Sequence, residues 1–283
     1  MRANLLAAVA AILPISLICA VSIAHAAGVA AAERPAAGGT AQASVVGGKE
    51  AAPGSYPWMA YAIDIQGNEA SACSGTVLAP RVVLTAAHCT LDEVSGALRD
   101  PAGYRVVTGT VNWSLPEGRQ VSTVTQLIPY PKFAAGTSRD GFGDAALLVL
   151  ATPTTVPSIP IAKSQRFLRL GTSARIAGWG MTYFEQEGFT RALVWTKTKV
   201  DGARCEGLWG RVCAVDFPKF KAGACFGDSG GPLFAHDPKR GWVEFGIVEG
   251  GFDKCTTRRP QLFTRADLLS KWIEGRIAAI EGG

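Results

Sequence analysis

Three prolines fall within the nine residues Thr152-Pro153-Thr154-Thr155-Val156-Pro157-Ser158-Ile159-Pro160, so neither a central strand nor a helix can run through this stretch. On either side the apolar residues come in short β-like runs bounded by turn residues. Gly75-Thr76-Val77-Leu78, Arg81-Val82-Val83-Leu84 and Tyr104-Arg105-Val106-Val107 precede the proline stretch, and Trp242-Val243-Glu244-Phe245-Gly246-Ile247-Val248 follows it. Many short strands at such spacing argue for an all-β barrel or sandwich and against alternating α/β. One helix is expected, over 266–280, where Leu268, Leu269, Trp272, Ile273 and Ile277 recur at helical spacing.

The first residues stand apart from this pattern. Met1-Arg2, an apolar stretch from Leu5 to Ile23 and then Ala24-His25-Ala26 match a secretory leader with a small-residue cleavage site before Ala27. Residues 1–26 are therefore expected to be removed as a signal peptide, leaving no stable membrane anchor and an extracellular product. Residues 27–44 are rich in Ala, Gly and Pro, with only Glu33 and Arg34 charged, a composition that buries little and suits a short pro-segment.

Seven cysteines become six when Cys19 leaves with the leader, and an even number in an exported chain favours disulfides over metal or redox chemistry. Spacing alone leaves every pairing open. There is no C-x-x-C pair, so a zinc site is not expected. The net charge of +5 comes from Lys and Arg scattered along the chain, with one cluster at Arg258-Arg259, and no basic stripe interleaved with aromatics points to nucleic acid.

Gly227-Asp228-Ser229-Gly230-Gly231-Pro232 offers a nucleophile if a base can take the proton of its serine. Three histidines are available. His25 lies in the leader, His236 in a polar loop, and only His88, in Leu84-Thr85-Ala86-Ala87-His88-Cys89, follows a β-like run. An ordinary turn would account for the Gly-Asp-Ser-Gly-Gly-Pro run alone. It would not account for the matching histidine motif.

With Val45-Val46-Gly47-Gly48, Gly178-Trp179-Gly180 and Trp272-Ile273 in the same order, these motifs resemble the chymotrypsin/trypsin family of secreted serine proteases from Val45 to the end. The resemblance implies two antiparallel six-stranded β-barrels packed face to face, about 45–155 and 156–265, with a C-terminal α-helix. It implies disulfides Cys73 with Cys89, Cys205 with Cys213 and Cys225 with Cys255. It assigns Ser229 as nucleophile, His88 as base and Asp144, in Gly143-Asp144-Ala145-Ala146-Leu147, as the carboxylate that orients His88. Asp140 is the nearest rival to Asp144 and lacks an apolar strand behind it. The backbone N–H groups of Gly227 and Ser229 would form the oxyanion hole. After cleavage before Val45, the new α-amino group would pair with Asp228, so the chain is expected to be a precursor.

The resemblance also places Gly223 at the base of the primary pocket with Ala224 beside it, and Gly251 and Gln261 in its walls. No acid awaits a Lys or Arg side chain, and Gln261 stands where glycine is common, so small or medium uncharged residues are expected before the cut bond. Ser44, just before the cut, argues against a trypsin-like activator. Glu249-Gly250-Gly251 departs from the usual Ser-Trp-Gly; Glu249 lies near Asp144, contacts a basic substrate group, or turns to solvent. Phe226 is either a substrate contact or cover for the pocket rim. Residues 109–121 contain Glu117 as their one acid, too few oxygens for the family's calcium loop. No cofactor or metal is called for. The expected partners are protein or peptide substrates and a proteinaceous inhibitor, and the chain is expected to be a monomer. The rival reading is a protease-like binding protein that retains the fold without turnover.

Overall fold

The computed structural model describes residues 45–133, 142–183, 188–201, 208–216, 218–250, 255 and 257–283. The expected leader, the pro-segment with Ser44, the rival Asp140, Cys205 and Gly251 lie outside these residues.

Two residues, Lys49–Glu50, form β1. The next six strands are β2 (Met59–Gln66), β3 (Glu69–Ala79), β4 (Val82–Thr85), β5 (Tyr104–Thr108), β6 (Gln120–Pro129) and β7 (Ala146–Leu150). All pair antiparallel and close into a barrel in the order β2-β3-β4-β7-β6-β5. Closure removes the exposed edges that an open sheet of this size would present. Leu148 and Leu150 of β7 fill the barrel together with Val77, Val83, Val106 and Val124. Leu147, on the other face of β7, packs outside the barrel with Leu84 and Ile247. Burial on both faces explains why β7 reads as a continuous apolar run with no alternation.

After the proline stretch come β8 (Ser173–Gly178), β9 (Val194–Val200), β10 (Arg211–Val215), β11 (Pro232–Asp237), β12 (Gly241–Gly250) and β13 (Gln261–Arg265). Their order is β9-β10-β13-β12-β11-β8, and pairing of β8 with β9 closes this second ring. The fold is therefore the expected pair of six-stranded antiparallel barrels. β1 pairs with β9, which attaches the start of the described chain to the second barrel.

Helix α1 spans Ala266–Glu281, as the periodicity predicts. Ala266, Leu269 and Ile273 are buried at i, i+3 and i+7, whereas Leu268 faces outward. The buried stripe packs on Ala79, Val82, Leu84 and Leu147 of the first barrel, and Glu281 Oε1 accepts the backbone N–H of Arg81 at 2.8 Å. A second seam cluster holds Trp58, Tyr61, Trp179 and Phe234. Fully burying a side chain of this size stabilises by about 2 kcal/mol or more, so the two clusters hold the barrels together. Among the described residues no helix is long and apolar enough to cross a membrane.

Candidate active site

His88 opens a short 3₁₀ turn directly after β4, and Asp144 leads into β7, the strand paired with β4. Strand pairing thus brings together two residues 56 positions apart. Asp144 is buried and accepts two hydrogen bonds from His88: the backbone N–H at 2.8 Å on Oδ1 and Nδ1–H at 2.7 Å on Oδ2. A carboxylate only accepts, so Nδ1 carries the hydrogen, and in the neutral ring Nε2 keeps its lone pair. Burial of the ring works against the imidazolium form. The charge and hydrogen bond of Asp144 work the other way, Glu249 and Glu93 add to them, and the His88 pKa lies above its ordinary value.

Ser229 reaches the same place from the second barrel. Its carbonyl accepts the backbone N–H of Ser74 at 2.9 Å, which clamps the serine loop onto β3. The next residue must be glycine. Gly230 has φ +78°, and a Cβ there would lie 2.1 Å from Thr85 Oγ1 and 2.5 Å from the Ser74 carbonyl. The disulfide Cys73–Cys89 ties β3 to the residue after His88, and Cys225–Cys255 braces the segment before Ser229. Cys213 is disulfide-bonded as well.

His88 and Ser229 line one cavity of 550 Å³, together with Ala224, Phe226, Gly227 and Glu249. Among the described residues the backbone N–H groups of Gly227 and Ser229 donate to no protein acceptor. Gly227 lies over the ring of Phe189, which also lines the cavity and which no sequence motif marks. Phe226 is 54% exposed at the rim.

Asp228 is fully buried, and the two glycines of Gly178-Trp179-Gly180 make room for it. A Cβ on Gly178 would lie 2.2 Å from Asp228 Oδ1, and one on Gly180 2.6 Å from its Cγ. The carboxylate accepts backbone N–H groups from Gly180 at 2.9 Å and Cys225 at 2.8 Å. Burial outweighs these two bonds and pushes the pKa up to about 7. Val45 is fully buried too, and the Val46 carbonyl accepts the Gly223 N–H at 3.0 Å.

Gln261 is buried against Gly223, where a Cβ would lie 2.5 Å from Gln261 Nε2. Both amide atoms are held by one residue: Oε1 accepts from Ala224 N–H and Nε2 donates to the Ala224 carbonyl, both at 2.7 Å. Gln261 therefore occupies space behind Ala224. Gly223 and Gln261 touch each other but do not line the cavity, unlike Ala224.

Glu249 turns inward. It sits at a register shift between β12 and β13, where Val248 pairs with Phe263 and Gly250 with Leu262. A bulge of this kind re-aims the extra side chain. Arg211 on β10 donates to both Glu249 oxygens, and Thr264 Oγ1 donates to Oε2 at 3.2 Å. Burial raises the Glu249 pKa, Arg211 opposes the rise, the Asp144 charge adds to it, and the balance stays above the ordinary value.

These features accord with what the chain is similar to. The family model described as Trypsin matches residues 45–273. Transmembrane protease serine 9 of Rattus norvegicus is 29% identical over 242 residues, covering 81% of this chain and 22% of that protein. Transmembrane protease serine 5 of Homo sapiens is 30% identical over 241 residues, covering 81% of this chain and 50% of that protein. The chain thus spans half or less of the length of these two relatives. Kallikrein-11 of Homo sapiens is 30% identical over 242 residues, covering 81% of this chain and 79% of that protein. Among solved structures, neuropsin, described as a serine protease expressed in the limbic system of mouse brain, matches with a TM-score of 0.67 and 27% identity, over 82% of this chain and 100% of that one. A match that runs from the buried Val45 through both barrels and into the C-terminal helix makes this chain a member of the trypsin family of serine proteases, of the chymotrypsin type.

Proposed function

We propose that the chain is an exported serine endopeptidase, made as a precursor and activated by cleavage before Val45, with Ser229, His88 and Asp144 as its catalytic groups. The observation that carries this reading is the 2.7 Å bond from His88 Nδ1 to Asp144 Oδ2, made at the wall of the cavity that Ser229 also lines. That bond leaves Nε2 as the acceptor a serine hydroxyl needs. Ser229 Oγ attacks the acyl carbon of a peptide bond as its proton passes to Nε2. The oxyanion meets the N–H groups of Gly227 and Ser229, each worth about 3 kcal/mol to the transition state. As the tetrahedral adduct collapses, the C–N bond breaks and His88 returns the proton to the departing amine. Water then repeats the sequence on the acyl-enzyme and frees the acid.

Activation draws support from the burial of both Val45 and Asp228. An α-amino group released at Val45 supplies the cation that a buried carboxylate lacks, and ionises Asp228 beside the oxyanion donors. The preference for small or medium uncharged residues draws support from Gln261, which fills space behind Ala224 and is held there by two hydrogen bonds.

Digestion of a diverse peptide library by protein beginning at Val45, beside the uncleaved precursor, which is expected not to cut, and a Ser229→Ala control, tests all three elements. Cuts after Ala, Ser, Val or Thr that vanish in the control are expected. Failure of correctly processed protein to cut, or cuts that persist in the control, would defeat the reading.

A further inference from the structure

The second barrel gathers on its outer surface basic residues that lie far apart in sequence. On β9 the outward positions are Trp195, Lys197 and Lys199, because Val194, Thr196, Thr198 and Val200 face inward. Pairing sets Lys197 opposite Arg175 and Lys199 opposite Ser173 on β8, and Trp195 opposite Lys49 on β1. Lys219 and Lys221 join them from the segment after β10. Two cavities, of 440 and 380 Å³, share Lys197, Asp216 and Lys219 in their walls, and neither shares a residue with the cleft of Ser229.

This face is electrostatically unbalanced. Among the described residues Lys49, Lys197, Lys199, Lys219 and Lys221 form no ion pair. The one acid in the two cavity walls is Asp216, whose Oδ2 accepts the Lys221 backbone N–H at 3.3 Å. Arg175 is fixed in place: its guanidinium lies 4.4 Å from the Trp195 ring and 4.5 Å from the Trp242 ring, and Nη1 donates to the Tyr56 hydroxyl at 2.6 Å. Lys197 stands directly across from it, a like-charge pair that costs stability until an anion lies over both.

We propose that this groove is an exosite for an extended acidic peptide, with Asp or Glu at alternate positions, carried by protein substrates. The proposal rests on the endopeptidase reading only for the origin of the peptide. Lys197 and Lys199 are two residues apart on one strand face, roughly 7 Å, which is also the repeat of alternate side chains along an extended peptide. The apolar surface of Pro218, Trp195 and Trp242 between the cations suits the intervening side chains. Asp216 can accept a peptide N–H and repels an uninterrupted polyanion such as a sulfated glycan or a nucleic acid. One segment serves both places, since Lys219 and Ala222 line the groove and Ala224 lines the cleft.

Fluorescence anisotropy tests the exosite with a short labelled peptide of alternating Asp and Ala, added to Ser229→Ala protein with and without Lys197→Glu and Lys199→Glu. Binding that weakens with added salt, and weakens roughly tenfold or more on the double reversal, is expected. The milder pair Lys197→Gln and Lys199→Gln should move binding the same way by less. In protein that retains Ser229, either pair should leave cleavage of a short uncharged peptide unchanged, which separates loss of the exosite from loss of the fold. The proposal is overturned if the acidic peptide does not bind, or binds the reversed protein equally well. It is also overturned if a heparin oligosaccharide or an oligonucleotide displaces the peptide at far lower concentration, which would give the face to a different polymer. Because binding is read on protein without its nucleophile, absence of turnover would leave this result standing.

Discussion

Arg211 holds both carboxylate oxygens of Glu249, with Nε at 2.9 Å from each, across the intervening strand β13. The two side chains are 11% and 13% exposed, so the pair sits largely out of water. Removing one partner strands the other. Arg211→Met in the Ser229→Ala background is expected to lose about 3 kcal/mol or more of stability, and Arg211→Met with Glu249→Met to recover much of it. Urea midpoints of the three proteins check this. Equal losses in the single and double variants would mean that the charges matter less than the shape they fill.

The same carboxylate bears on catalysis through His88. The charges facing the ring are Asp144, Glu249 and Glu93, all of which raise its pKa, while burial lowers it. In the proposed mechanism turnover needs the neutral ring, so the acid limb of kcat/KM should follow the His88 pKa of the free enzyme. Glu249→Gln removes one raising influence and should move the limb to lower pH. Glu93→Gln, the weaker neighbour, should move it the same way by less. A limb that stays in place in both would show that Asp144 alone sets the proton affinity of His88.

Glu244 should make stability depend on pH. It is fully buried on β12, where Oε2 accepts the Thr76 hydroxyl at 2.7 Å and Oε1 has no partner among the described residues. Burial pushes its pKa from 4.5 up to about 8, and Thr76 offsets only part of the rise. Between those values the unfolded chain has lost the proton that the folded chain keeps, so stability falls as pH rises, by roughly 1 kcal/mol per pH unit, and levels off above the folded pKa. Thermal unfolding of the Ser229→Ala protein should therefore show a lower midpoint at pH 8 than at pH 5. Glu244→Gln should reduce that difference, and Asp228, pushed up to about 7 in the same direction, accounts for part of what is left.

Gln261 carries the prediction for specificity. Gln261→Gly removes the side chain behind Ala224 and frees both of that residue's backbone groups. Cleavage after Phe or Leu should rise relative to cleavage after Ala by roughly tenfold, the scale set by one or two methylene groups in an apolar pocket. Competition between two peptides that differ only at that residue measures the ratio. An unchanged ratio would place the limit on side-chain size elsewhere, with Phe189 the next residue to vary.

Much of this molecule is legible in the sequence because local chemistry and distant position agree. The short runs around Val77, Val83 and Val106 are strands, the helix ends within one residue of its expected limit, and His88, Asp144 and Ser229 converge on one seam. The partner of Glu249 is not legible. Arg211 lies 38 residues away in an ordinary strand, and only the pairing of β10 and β12 on either side of β13, together with a bulge, brings the two charges together. The basic groove is hidden for the same reason: Lys49, Lys197 and Lys219 look scattered until sheet pairing and a returning loop make them neighbours. Phe189 under Gly227 carries no pattern at all, since a lone aromatic residue in a connecting segment has no period to betray the face it covers.

The docking of α1 on the first barrel bears on when the enzyme comes into being. Leu269 and Ile273 follow both barrels along the chain, yet they cover Val82, Leu84 and Leu147, the apolar layer behind His88 and Asp144. A nascent chain whose α1 has not yet emerged leaves that layer uncovered. The histidine and its carboxylate gain their rigid backing only once α1 has been made and has closed on the first barrel, so the order of synthesis delays assembly of the proposed catalytic pair until both barrels have been made.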